Sequence, residues 1–90
     1  MNIQQANKIL ADACGVEYSI FDGMYKWQGS EWTIKDPRCR EVVRWKFKLK
    51  TQFLVGVWSC TTNDRLGDFI GKTIAEAEIA CMIKIAEEVT

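Results

Sequence analysis

The stretch GKTIAEAEIACMIKIAEE, residues 71–88, constrains the fold more than any other part of this chain. Ile79, Met82, Ile83 and Ala86 make one apolar stripe at helical spacing, and Ile74, Ala77, Cys81 and Ile85 make an adjoining one. Together the stripes cover more than half of the helix circumference, and only Glu76, Lys84, Glu87 and Glu88 clearly ask for water. Such a helix must be covered on more than one side, by a sheet and a neighbouring helix or by a second copy of the chain. Its start is marked by Thr73-Ile74-Ala75-Glu76, a capping-box pattern in which Thr and Glu satisfy backbone donors.

The remaining elements must supply that cover. Ile3, Ala6, Leu10 and Ala13 fall at helical spacing, which predicts a helix over residues 2–14 ending at Gly15. Residues 16–34 are aromatic and irregular. Turn residues Gln28-Gly29-Ser30 there predict a short hairpin of residues 25–28 with 31–34, and the stretch before it reads as a first strand or an ordered loop. Asp36-Pro37 reads as an N-cap followed by proline at the first helical position. The cap favours a helix from Pro37 to about Lys46, although residues 44–50 also alternate as a strand would. Residues 51–60, TQFLVGVWSC, read as one strand apolar on both faces, hence inside a covered sheet, and residues 66–71 as a short edge strand. The expected architecture is α+β: a small antiparallel sheet with helices packed on it in an α/β/α sandwich, closed by the long C-terminal helix.

Ninety residues make a single domain, 1–90, and 48% hydrophobic residues with four Trp and four Phe supply a core for it. The twelve basic and twelve acidic residues cancel, but residues 35–50 carry seven Lys/Arg against two acids, while residues 61–90 carry three against six. Two readings follow: a positive surface patch, or an internal charge match between the central segment and the acidic last helix. Cys14, Cys39, Cys60 and Cys81 form no CxxC pair and there is no histidine, a spacing that argues against zinc and for buried free thiols. Met1 is followed by a polar start and no apolar run reaches membrane-spanning length, so reduced thiols in a cytosolic protein are expected.

The chain resembles the phage ABA sandwich domain, a family of small bacteriophage-encoded proteins. The likeness rests on the first helix ending at Gly15, Trp27 and Trp32, the helix from Asp36 to Val43, the strand from Phe53 to Trp58, and Gly71-Lys72-Thr73 with Ala77, Ala80 and Cys81. It departs from that pattern in the basic run 38–50 and the insertion 63–67. The resemblance implies an α/β/α layering and a viral origin, with the host bacterial cytoplasm as its place of action. It implies no catalytic residues.

The residues themselves point away from catalysis. Gly67 to Thr73 is one residue short of a phosphate-binding P-loop, because Leu66 occupies the first glycine position. No nucleophile motif, metal cluster or cofactor motif is expected. The order of elements is similar to a double-stranded-RNA-binding domain, but Glu76 and Glu78 stand where that module needs lysines. The leading expectation is therefore a non-enzymatic protein that binds a host protein. Trp27 and Trp32 would be aromatic anchors beside a turn. The alternative is nucleic-acid or anionic-ligand binding through Arg38, Arg40, Arg44, Lys46, Lys48 and Lys50. Trp27, Trp32, Arg38, Arg40, Arg44 and Lys48 are thus the candidate partner-binding residues; no membrane is expected, and the apolar last helix permits a homodimer.

Overall fold

A computed structural model describes residues 1–62 and 69–90. The order is α1 (Ile3–Ala13), β1 (Tyr18–Ser19), β2 (Met24–Trp27), β3 (Ser30–Glu31), α2 (Pro37–Phe47), β4 (Lys50–Leu54), β5 (Val57–Thr61), β6 (Phe69–Gly71) and α3 (Ile74–Glu88). The chain is α+β, with helices packed on antiparallel sheets and α3 as the long closing helix. The strands divide into two three-stranded sheets, β1-β2-β3 and β4-β5-β6.

α3 lies at the centre. The β4-β5-β6 sheet packs on one side of it, and α1 and α2 pack against it as well. This explains its wide apolar surface: Ala77, Cys81, Met82, Ile85 and Ala86 are buried, and Ile79 and Ile83 close over their flanks. Cover comes from a sheet and neighbouring helices, so α3 leaves little apolar surface for a second copy. Leu10, Ile34, Val43 and Met82 are among the largest fully buried side chains, joining α1, the β3–α2 connection, α2 and α3 in one core.

The caps expected for α2 and α3 are present. Asp36 accepts a hydrogen bond from the Arg38 backbone N–H and Pro37 opens α2, which continues to Phe47, so residues 44–47 are helical. Lys48 ends it in the left-handed conformation, with φ 55°. At α3 the Thr73 hydroxyl accepts the Glu76 N–H, while the Glu76 carboxylate accepts the Lys72 N–H one residue earlier than a reciprocal box would have it. At α1, Asn2 and Gln5 form a complete capping box that the sequence reading did not name.

The segment read as a single strand over residues 51–60 is a hairpin. β4 and β5 pair from Lys50↔Thr61 to Leu54↔Val57, leaving Val55-Gly56 as a two-residue turn. Both turn residues have positive φ, 43° and 85°, which defines a type I′ turn. The signal is disguised because a β-branched, fully exposed valine occupies a position that favours asparagine. Gln28-Gly29 makes the corresponding turn between β2 and β3, with φ 50° and 83°.

Nor is the hairpin covered on both sides. Thr51, Trp58 and Cys60 alternate onto the face toward α3, with Phe53 on the same face but 58% exposed near the turn, whereas Gln52, Leu54 and Ile70 stand exposed on the other around a buried Ser59. The expected edge strand is β6, and the 63–67 insertion lies outside the described residues.

Gly71 has a steric reason to be glycine. A Cβ there would lie 2.6 Å from Glu76 Cβ and 2.7 Å from the Ala77 nitrogen, so the first turn of α3 closes directly onto the end of β6. Gly71→Ala is expected to cost about 1–3 kcal/mol, read as a lower denaturant midpoint. Val55→Asn has the opposite sign. Relief of the left-handed valine should stabilise by about 1 kcal/mol and raise the thermal midpoint by about 4–8 °C.

Candidate functional site

The most highly organised polar group in the molecule is buried. Glu78, on the second turn of α3, is fully buried, with its carboxylate facing α2 and β4. Its Oε1 accepts hydrogen bonds from Arg40 Nε at 3.0 Å and Arg44 Nη1 at 3.0 Å. Its Oε2 accepts from Arg44 Nη1 at 2.8 Å and from the Thr51 hydroxyl at 2.8 Å. Arg40 Nη1 also donates to the carbonyls of Ile34 and Lys35, each at 3.0 Å, which ties the β3–α2 connection into the same cluster.

The spacing of α2 makes this geometry. Arg40 and Arg44 stand one turn apart on one face, so both guanidiniums reach a single carboxylate on a crossing helix. Burial alone would push the Glu78 carboxyl up. The hydrogen bonds and charges of Arg44, Thr51 and Arg40 outweigh it and hold the group below the ordinary carboxylate value.

The central basic segment thus resolves toward the internal charge match: Arg40 is buried, and Arg44, a third exposed, turns its guanidinium inward to Glu78. Arg40 is 6% exposed, and its guanidinium has no face left for a phosphate. The proposed basic row is therefore corrected at Arg40 and Arg44. The missed residue is Glu78, which the sequence places only as an acid where an RNA-binding helix needs lysine, and leaves out of the water-facing set. Its place between Ala77 and Ile79, beside the two apolar stripes, was the available signal.

Trp32 is corrected too. It is 3% exposed, packs edge-to-face on Trp27 with ring centroids 6.2 Å apart, and donates its indole N–H to the Asn7 carbonyl at 3.1 Å. Asn7 continues this clasp by accepting the Ile34 N–H at 2.8 Å. Trp32 is a core residue linking the ribbon β1-β2-β3 to α1. Trp27 remains half-buried at the rim.

Arg38 remains at the surface, paired with Asp36 at 3.0 Å, and Lys48 is an exposed helix cap. Trp27, Gln28, Arg38, Glu41, Val42 and Trp45 line a shallow cavity of about 270 Å³ between the β2–β3 turn and α2. Trp45 is 79% exposed there. A larger cavity of about 510 Å³ lies between α1 and the ribbon, with mixed polar and apolar walls that include Gln4, Lys8, Tyr18, Met24 and Glu31.

All four cysteines are free thiols, with Cys39, Cys60 and Cys81 buried. Hydrogen bonding with Cys81, followed by that from Thr51, lowers the Cys60 thiol, while the same contact and burial raise Cys81. Among the described residues no cluster of His, Cys, Asp or Glu is arranged to hold a metal ion, and no helix is long and apolar enough to cross a membrane. No family model, curated protein or solved structure matches this chain.

Replacing Glu78 by Gln should leave two guanidiniums without their counter-charge and destabilise the fold by about 3–5 kcal/mol. Because the folded-state carboxyl lies below its ordinary value of 4.5, its contribution is complete above that pH. It is lost as pH falls through the lower folded-state value. Denaturant melts of wild type and Glu78→Gln should therefore differ most at neutral pH and converge in acid.

Proposed function

We propose that this chain is a non-catalytic bacteriophage accessory protein, related to the phage ABA sandwich domain, that binds a host protein in the bacterial cytoplasm. The viral origin rests on the motif resemblance. Binding is supported by one observation above all: Trp45 stands 79% exposed beside the cavity that Trp27 and Arg38 also line. An exposed tryptophan held on a helix beside an arginine is the combination that dominates protein-binding energetics. Val42 gives the cavity an apolar wall, and Arg38 and Glu41 give it charged rims, which suits an apolar side chain flanked by polar groups.

Nucleic-acid binding is the weaker reading. With Arg40 and Arg44 committed to Glu78, the segment keeps Lys35, Arg38, Lys46, Lys48 and Lys50, and Arg38 is itself paired with Asp36. The remaining charge supports only a small salt-dependent term.

Affinity purification from host lysate with wild type, Trp45→Ala and Arg38→Ala tests the reading. One saturable host protein should be recovered, with affinity reduced about tenfold or more by Trp45→Ala, a change of at least ~1.4 kcal/mol. Recovery of RNA instead of protein, or capture indifferent to Trp45, would sink it.

A further inference from the structure

Apart from any host partner, we propose that two copies of this chain pair through the outer edges of β4, joining two three-stranded sheets into one of six strands. β4 lies at the border of its sheet, in the order β4-β5-β6. The two-residue turn settles which backbone groups face outward. In such a hairpin the residues flanking the turn exchange both main-chain hydrogen bonds, so Leu54, Gln52 and Lys50 direct theirs toward β5. The N–H and C=O groups of Thr51 and Phe53 therefore point away from the sheet. Among the described residues no strand pairs with them.

Sheet edges are ordinarily guarded by a bulge, a proline, extreme shortness or a central charge. β4 carries none of these guards. Its five pairs run without interruption, and its one charge, Lys50, sits at the end. Phe53, Leu54 and Val55 follow one another in the open, 58%, 44% and 102% exposed. The opposite edge, β6, has three residues and is protected by its shortness.

A second copy satisfies this edge in one register. With the two-fold axis at Gln52, Thr51 of each copy faces Phe53 of the other, and all four outward groups on each strand are bonded. A two-fold axis at Phe53 would instead bring Thr51 against Val55, which has left the strand conformation with φ 43°. In the Gln52 register each Lys50 lies opposite a Leu54, and the two lysines stand four residues apart along the strands. At about 3.3 Å per residue that is ~13 Å, beyond the ~8 Å screening length at physiological salt. No like charges oppose one another, and a closed pair consumes the long edge of both copies, so growth stops at two.

The test uses the exposed Gln52, whose side chain faces its own copy across the axis. Sedimentation equilibrium of the full chain over a concentration series should show wild type approaching twice the 10.3 kDa chain mass. Gln52→Lys and Gln52→Glu should each raise the dimer dissociation constant about tenfold, because like charges then meet directly. An equimolar mixture of the two should restore association as a heterodimer. A wild type that stays monomeric throughout overturns the proposal. So does a dimer indifferent to both substitutions, which would place the contact elsewhere, for example at Trp45. Species growing beyond two copies would also overturn it, by showing open-ended edge pairing. Neither result depends on whether Trp45 captures a host protein.

Discussion

The arrangement of this molecule turns on one buried carboxylate. Glu78 has no solvent, so it must be neutralised where it stands, and the groups that do so come from α2 and β4. That requirement fixes how α2 crosses α3 more tightly than apolar contact could, since apolar faces slide at little cost whereas a guanidinium–carboxylate pair does not. Removing the carboxylate leaves two guanidiniums without a counter-charge, and removing a donor leaves a buried carboxylate oxygen short of a hydrogen bond. The cluster is costly to assemble and more costly to break, which favours a single packing of the α2–α3–β4 corner.

Where the sequence was legible, local chemistry decided the outcome. Asp36-Pro37 could only open a helix, and Thr73 could only cap one, so α2 and α3 begin where their residues say. The breadth of the apolar surface on α3 correctly implied cover on several sides. Legibility failed where long-range geometry overrode local pattern. Arg40 and Arg44 look identical on a helical wheel whether they face water or Glu78, and only the fold says which. Trp32 likewise lies beside a turn, yet the hydrogen bonds of Asn7 draw it under α1. The Val55-Gly56 turn was hidden for another reason. A valine in the left-handed region breaks the residue preference by which such turns are recognised, so two strands read as one.

Of the candidate residues, Trp27, Arg38 and Lys48 keep surface positions, and Trp45 joins the first two around the cavity on the far side of α2 from Glu78. The helix is divided by face. Its inner arginines fix its orientation, and that orientation presents Trp45 outward. In the proposed binding role, anchoring the helix that carries Trp45 would lower the ordering cost, since preorganisation of this kind raises affinity without adding contacts.

The same cluster also governs β4. The Thr51 hydroxyl is bound to Glu78, so Thr51 must face α3, and alternation then places Gln52 on the open face and Phe53 on the same face as Thr51. A slip of one residue would turn Gln52 inward and detach Thr51 from the carboxylate, leaving a buried oxygen short of a donor. With the turn at Val55-Gly56 holding the register from the other end, the strand is pinned at two points, and the backbone groups of Thr51 and Phe53 have no freedom to turn inward. The strand order leaves the β4 edge open, and the buried charge together with the turn fixes which backbone groups stand on it, so any partner strand must accept that register.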